Sequence, residues 1–248
     1  MILGSTVGRP VYQLYKWLWA SLDLLFPPKC GGCGRSGERW CKTCQGETAL
    51  VSPPVCERCG QWIVTGEKCH RCLTIPPKFK SLRSWAIYEG PLRNAVLRLK
   101  YAGDMSLGDA LAQPLMHKLG ELSWRLDIVV PVPVGAARAA ERGYNQAALL
   151  ALPVALGSGE VYRPKALKKV LDNRSQVGLS IMERYENVDG AFQADRHLVK
   201  DKTVLVIDDV ITSGATVNAC ADALLKAGAK DVYGLTLARA GIKQVLSE

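Results

Sequence analysis

The stretch VLVIDDVITSGAT, residues 204–216, decides how this chain folds. Its first four apolar residues predict a β-strand buried on both faces, which is typical of a parallel sheet. The carboxylates of Asp208 and Asp209 follow at the carboxyl end of that strand, where open α/β sheets bind ligands. A loop of small residues then leads into a helix, which we expect over residues 215–227 with Gly228 at its end.

The loop has the composition of a phosphate site. Its glycine lets the backbone approach a ligand closely, and its amides together with the helix dipole are suited to an anion. Carboxylates beside a phosphate are explained if they bind hydroxyl groups or a hard cation such as Mg²⁺. The run therefore predicts a ligand with a monophosphate, a diol and a metal-bound diphosphate, held in part by the loop residues Thr212, Ser213, Gly214, Ala215 and Thr216.

The rest of the chain from about residue 80 alternates short apolar runs with helical patterns, which indicates α/β units around a mainly parallel sheet with flanking helices. A helix that begins at Asn145 is expected to break at Pro153. Strands are expected over residues 84–88, 127–132, 203–207 and 232–237, and further helices over 91–101 and 107–122.

The cysteines define a small module before this domain. Eight of the nine form four C-x-x-C pairs arranged as a repeat, with seven or nine residues between the pairs of each half. Four thiolates at this spacing close one tetrahedral zinc site, so we predict two structural Zn²⁺ ions. Cross-braced pairing and iron remain alternatives. The repeat favours sequential ligand sets, Cys30, Cys33, Cys41 and Cys44 in one and Cys56, Cys59, Cys69 and Cys72 in the other.

The charge of the chain is uneven. The formal net charge is +9, and residues 1–80 hold 11 basic and 5 acidic side chains, whereas residues 81–248 hold 21 and 18. A basic module favours anionic partners such as nucleotides, pyrophosphate or nucleic acid, although a solvated face explains the same surplus.

The first segment, residues 11–26, has apolar residues at helical spacing and is interrupted by Lys16, Ser21 and Asp23, so it predicts an amphipathic helix and no membrane span. It lacks the marks of a signal peptide, so we expect a cytoplasmic protein, whose reducing surroundings favour metal-bound cysteines. We expect the helix to dock on the core rather than on a membrane. The expected domains are 1–28 (this helix), 29–78 (zinc ribbons) and 79–248 (α/β domain). The apolar stripe consists of Leu14, Trp17, Leu18, Leu22 and Leu25.

Residues 204–216 resemble, at every position, the motif with which type I phosphoribosyltransferases bind phosphoribosyl pyrophosphate (PRPP). This resemblance implies that Asp208 and Asp209 hold the ribose hydroxyls, that residues 212–216 bind the 5′-phosphate, and that Mg²⁺ accompanies PRPP.

Three further parts of the chain resemble the ComF family (the ComFC/GntX-like group). They are DIVVPVPV at 127–134 followed by Arg138 and RGYNQ at 142–146, YEGPLR at 88–93 with LKYAGD at 99–104, and QVGLS at 176–180 with Glu183, Arg184 and Asn187. With the repeated cysteines, the similarity covers about residues 26–240. It implies that Arg138 and Arg142 join the acid pair as catalytic residues on the pyrophosphate side, that Gln176 and Arg184 also bind PRPP, and that residues 163–184 take the place of a flexible active-site loop.

The ComF resemblance implies a PRPP-binding protein linked to the handling of single-stranded DNA in competence, with a helicase as partner, or to nucleotide metabolism. Two alternatives stay open: an active phosphoribosyltransferase with an unidentified acceptor, and a sensor that binds PRPP without turnover. The sequence shows no evident hood for a nucleobase, and the zinc module stands where a hood would be expected. The acceptor is therefore not predicted.

Overall fold

A computed structural model of the chain describes residues 10–25, 27–171 and 180–241. Within these ranges the predicted fold class is confirmed, because a parallel sheet in the order β1-β7-β6-β2-β3 carries helices on its faces. The sheet consists of β1 (Ser81–Ile87), β2 (Ile128–Pro131), β3 (Val161–Tyr162), β6 (Thr203–Ile211) and β7 (Asp231–Arg239), and an antiparallel pair consists of β4 (Leu167–Lys169) and β5 (Phe192–Ala194). The helices are α1 (Pro10–Leu25), α2 (Lys42–Gly46), α3 (His70–Thr74), α4 (Gly90–Tyr101), α5 (Leu107–Gly120), α6 (Ala136–Arg142), α7 (Gln146–Ser158), α8 (Ile181–Val188), α9 (Arg196–Val199) and α10 (Ala215–Lys226).

Strand β6 lies in the middle of the sheet and separates two hydrophobic cores. Because side chains alternate along a strand, Val204 and Val206 face one way and Leu205 and Ile207 the other. The first pair belongs to a core with α10 and the second set of cysteines, and the second pair belongs to a core with α4, α5 and α7. The two cysteine sets are therefore not equivalent in the fold.

Strand β6 is longer than the expected 203–207, because its pairing with β7 continues through Asp208 and Thr236 to Ile211 and Arg239. The two carboxylates thus lie inside the hydrogen-bonded strand instead of just after it. Pairing with β2 ends at Ile207, so the ladder with β7 holds the carboxylates, and it does so more rigidly than a loop would.

The expected break at Pro153 is wrong, since α7 runs from Gln146 to Ser158 through the proline. A proline inside a helix removes the hydrogen bond to the carbonyl four residues earlier, here that of Leu149. That carbonyl lies against Gly108 of α5, where a Cβ atom would come within 2.8 Å of the oxygen. The close contact of α7 with α5, and the burial of Pro153 itself, maintain the helix.

Helix α1 forms and docks on the rest of the protein as expected, since Gln113 of α5 donates to the hydroxyl of buried Tyr12 at 2.5 Å. The described side chains of its apolar stripe do not form this contact. Leu14, Trp17 and Leu18 are 60–73% exposed. The helix packs instead through buried Tyr12 and through Arg39 of the first cysteine set, which stacks on the Trp19 ring at 5.2 Å. Arg39 also forms an ion pair with Asp23 on the same helix, so polar and aromatic contacts decide which face docks. Among the described residues, no helix has the length and apolar character needed to cross a bilayer.

Candidate functional site

A cavity of about 730 Å³ opens at the carboxyl ends of β2 and β6, and its size is typical of a small-molecule site. Ser213, Gly214 and Ala215 form the loop beside it and are buried. Gln176 lies outside the described residues. The structure brings the other predicted site residues to the wall of this one cavity, namely Arg138, Arg142, Arg184, Asp208, Asp209, Thr212 and Thr216.

The loop between β6 and α10 has the geometry that its sequence indicates. Gly214 adopts a φ of +84°, a left-handed conformation that favours glycine. The Ser213 hydroxyl accepts a hydrogen bond from the amide of Ala215 at 3.3 Å. In the described part of the chain, nothing accepts a hydrogen bond from the amides of Thr212, Ser213 and Gly214. These donors, at the start of a three-turn helix, are available to an anion.

The acid pair lines the same cavity. The amide of Asp209 donates to Asp208 Oδ1 at 2.9 Å, and the amide of Val210 donates to Asp209 Oδ1 at 2.7 Å. Burial, followed by the nearby charge of Asp209, raises the pKa of Asp208 well above its ordinary value. Two adjacent carboxylates that share a buried site need hydroxyl donors or a cation to stay ionised.

Lys100 of α4 supplies such a cation and was not among the predicted site residues. Its Nζ lies 3.0 Å from Asp209 Oδ2, and the Asp209 side chain is only 4% exposed. Burial acts to lower the pKa of Lys100, but the charge and hydrogen bond of Asp209, together with the charge of Asp208, outweigh burial and the pKa is raised. The sequence carried a signal for this residue, because Lys100 follows the buried Val96 by one helical turn, and a lysine on a buried helix face needs a partner.

The two predicted arginines lie on α6, a short helix that follows β2. Arg142 donates to Gln146 Oε1 at 3.0 Å, and its guanidinium lies 4.9 Å from the centre of the Tyr101 ring. Arg138 and Arg142 both face the cavity that contains the acid pair. The arrangement therefore offers cations near the carboxylates and a row of amides, which together suit a ligand with phosphates at both ends.

The eight paired cysteines form two separate clusters, and in each cluster the four sulfur atoms lie within 4.8 Å of one another. The grouping is sequential along the chain. Tetrahedral zinc with Zn–S bonds of about 2.3 Å requires sulfur atoms about 3.8 Å apart. The Sγ–Sγ distances are 3.6 Å for Cys30–Cys44, 3.8 Å for Cys33–Cys41 and 3.7 Å for Cys59–Cys69, so the thiols fit structural Zn²⁺.

Comparison with known proteins agrees with both parts of the fold. The double zinc ribbon domain matches residues 21–73, and the phosphoribosyl transferase domain matches residues 108–248. The DNA utilization protein YhgH of Salmonella typhi is 32% identical over 193 residues, which are 75% of this chain and 84% of that protein. The competence protein ComFC of Bacillus subtilis is 25% identical over 230 residues, 89% of each chain. Among solved structures, an adenine phosphoribosyltransferase of Saccharomyces cerevisiae is 18% identical, covering 65% of this chain and 81% of that one, with a TM-score of 0.33.

The fold and the two cysteine clusters thus define a protein that joins a double zinc ribbon to a phosphoribosyltransferase domain. Within that class, the chain belongs to the ComF family, together with the YhgH and ComFC proteins.

Proposed function

We propose that this protein binds PRPP with Mg²⁺ in the cavity at the carboxyl ends of β2 and β6. One observation supports this most directly: the open amides after β6 and the acid pair lie at the same cavity as Arg138 and Arg142. The loop would bind the 5′-phosphate, the carboxylates would accept hydrogen bonds from the ribose hydroxyls, and the two arginines would face the pyrophosphate. Mg²⁺, when bound with PRPP, would neutralise part of the pyrophosphate charge.

The same arrangement is suited to group transfer. A nucleophile would form a bond to the anomeric carbon of the ribose while the bond from that carbon to the pyrophosphate oxygen breaks. Pyrophosphate leaves with the bonding electrons, and the nucleophile loses a proton. Arg138 and Arg142 would stabilise the negative charge that develops on the leaving group. The acceptor is unassigned. Release of pyrophosphate would distinguish a transferase from a sensor, which would bind PRPP without turnover.

We further propose that this PRPP-binding protein takes part in the handling of single-stranded nucleic acid, which its basic N-terminal part would bind. The relatives are named for DNA utilization and competence, and residues 1–80 hold 11 basic against 5 acidic side chains. A basic surface binds the phosphate backbone with an affinity that falls steeply as salt rises. Fluorescence anisotropy with a labelled single-stranded oligonucleotide should show this salt dependence, and absence of binding at low salt would exclude the role.

Isothermal titration calorimetry with PRPP and Mg²⁺ tests the primary proposal. The double variant Asp208→Asn/Asp209→Asn should bind PRPP at least about tenfold more weakly than the wild type, because each lost charge-assisted hydrogen bond contributes about 1.5–3 kcal/mol. Asp222→Asn on the outer part of α10, where Asp222 pairs with Lys226, is the matched control and should bind normally. A wild-type protein that takes up no PRPP at millimolar concentration would refute the proposal.

Turnover is measured separately. The protein is incubated with PRPP, Mg²⁺ and a panel of nucleobases and amines, and released pyrophosphate is assayed. Release that depends on one acceptor identifies a transferase, and tight binding with no release across the panel identifies a sensor. Oligonucleotide binding should survive the Asp208→Asn/Asp209→Asn change, because phosphate contacts on the basic module do not involve those carboxylates.

A further inference from the structure

The second cysteine cluster lies next to the loop that we assign to the 5′-phosphate. Arg71 stands between the cysteines of the Cys69/Cys72 pair, on α3. Its Nη2 atom is 3.9 Å from the position that a Cβ atom would take on Gly214. Tyr185, whose hydroxyl lies 3.5 Å from the carbonyl oxygen of Ser213, is also within reach of the Arg71 charge. The Arg71 guanidinium is therefore at the loop, although it comes from another part of the chain.

This part of the second ribbon is fixed firmly relative to the loop. The amide of Leu82 in β1 donates to the carbonyl of Arg58 at 2.7 Å, and the amide of Lys78 donates to Asn218 Oδ1 of α10 at 2.7 Å. Cys59 and Cys72 are buried in the same hydrophobic core as Ala215, the first residue of α10. Zinc held by Cys69 and Cys72 would lock the backbone on both sides of Arg71, so the approach of its guanidinium to Gly214 is built into the fold.

A phosphate bound in this loop would require a neighbouring positive charge, which Arg71 can supply. A phosphate monoester carries about −1.5 to −2 charges at neutral pH, and Asp208 and Asp209 precede the loop by only a few residues. The loop's own side chains, those of Thr212, Ser213 and Thr216, are neutral. A guanidinium can donate two parallel hydrogen bonds to phosphate oxygens and offsets the repulsion from the carboxylates.

We propose that Arg71 of the second zinc ribbon is a binding residue for the 5′-phosphate, so that this ribbon forms part of the phosphate site. The inference rests on the proposed binding of PRPP, and it assigns one end of the ligand to a residue outside the phosphoribosyltransferase domain. The first ribbon provides the comparison. In the repeat, its Cys41/Cys44 pair has Thr43 at the position of Arg71, and its nearest cation, Lys42, is exposed.

The experiment compares three ligands, each titrated calorimetrically: PRPP, ribose 5-phosphate and inorganic pyrophosphate. Arg71→Ala should weaken the binding of PRPP and of ribose 5-phosphate by about tenfold, as expected for one lost charge-assisted contact. It should leave the binding of pyrophosphate unchanged. Arg71→Lys keeps the positive charge but cannot donate two parallel hydrogen bonds, so its affinity for PRPP and ribose 5-phosphate should lie between those of Arg71→Ala and the wild type. Lys42→Ala removes one positive charge from the corresponding C-x-x-C pair of the first ribbon, next to the position equivalent to Arg71, and should change nothing.

Zinc content and the thermal unfolding midpoint are measured for every variant, and we expect both to match the wild type. Unchanged affinity of Arg71→Ala for ribose 5-phosphate would overturn the assignment of Arg71 while leaving PRPP binding intact. An equal loss for all three ligands would also overturn it, because that result indicates a general effect of charge or folding. Failure of the wild type to bind any of the three would overturn the proposed function itself.

Discussion

The two zinc ribbons are repeats of one sequence pattern, yet they meet the α/β domain in different ways. The cysteine-bearing part of the first is attached to helix α4 by side chains: Arg98 donates to the carbonyl of Cys30 at 3.0 Å, and Asn94 donates to that of Gly32 at 3.2 Å. The segment after its last cysteine, residues 49–51, also forms backbone hydrogen bonds with β1. The second is joined to the sheet itself. Buried Arg239 of β7 donates to the carbonyl of Cys59, and β1 is bonded to its backbone.

The cysteines of the two ribbons also differ in whether they belong to a main hydrophobic core. Cys56, Cys59 and Cys72 belong to the hydrophobic core that packs on one face of the sheet, whereas the buried Cys30 and Cys44 are not among the members of either main core. The metal ligands of the second ribbon are therefore integrated into a main core of the domain, whereas the first ribbon meets the other core through Trp40 and not through its cysteines. We expect only the second ribbon to be required for the structure of the phosphate loop.

Replacing the metal ligands should give the largest difference in stability between variants of the two ribbons. Structural zinc contributes about 10–16 kcal/mol to the folding of small zinc domains. Cys56→Ser/Cys59→Ser should therefore lower the unfolding midpoint of the α/β domain by more than about 10 °C or leave the chain insoluble. Cys30→Ser/Cys33→Ser should release one zinc per chain and lower the midpoint much less. Calorimetry and zinc analysis measure both effects, and equal damage from the two double variants would contradict the difference.

A smaller difference in stability is expected for the glycine that follows the first cysteine pair of each ribbon. Gly34 and Gly60 both have positive φ angles, +78° and +69°, so alanine at either costs about 1–2 kcal/mol in backbone strain. A Cβ on Gly34 would meet nothing within 4 Å, but on Gly60 it would lie 2.7 Å from the backbone oxygen of Leu82. Gly60→Ala should therefore be about 1–3 kcal/mol more destabilising than Gly34→Ala.

Urea unfolding of the two glycine variants provides this measurement. The free energies of unfolding are compared with that of the wild type under conditions where both zinc ions are retained. Equal losses would show that the close approach of the second ribbon to β1 does not contribute to stability.

The smallest effects concern the acid pair, whose members also differ in surroundings. Burial raises the pKa of Asp208, so its ionisation above the ordinary aspartate pKa of about 4 opposes folding. Asp208→Asn should raise the unfolding midpoint at neutral pH by about 2–4 °C, and the gain should disappear near pH 4. Asp209→Asn should lower the midpoint, because it leaves Lys100 without its carboxylate partner.

Thermal unfolding of both variants between pH 4 and neutral pH tests whether the midpoint rises for Asp208→Asn and falls for Asp209→Asn. A destabilised Asp208→Asn protein at neutral pH would mean that the carboxylate contributes to the fold rather than being retained for a ligand.

The sequence predicted those parts of the site that are local in the chain. Strand β6, the acid pair and the loop lie within thirteen consecutive residues, so apolar patterning and turn chemistry were sufficient to identify them. The cysteine clusters were also predictable, since each is closed by nearby pairs.

What the sequence did not show depends on contacts between distant residues. Lys100 meets Asp209, and Arg71 approaches Gly214, only because the sheet and the second ribbon bring separate segments together. Pro153 is a further case, because the helix survives through packing of Leu149 on Gly108, which no local rule contains. The face on which α1 docks was missed for the same reason, as Arg39 lies in another module.

Phosphorus NMR of PRPP in the presence of the protein and Mg²⁺ tests the central claim most directly, since the 5′-phosphate and the two pyrophosphate phosphorus atoms give separate signals. We predict that the wild-type protein shifts or broadens the 5′-phosphate signal and that Asp208→Asn/Asp209→Asn diminishes this change. A 5′-phosphate signal that stays unperturbed while the pyrophosphate signals move would show that the loop after β6 does not hold the sugar phosphate.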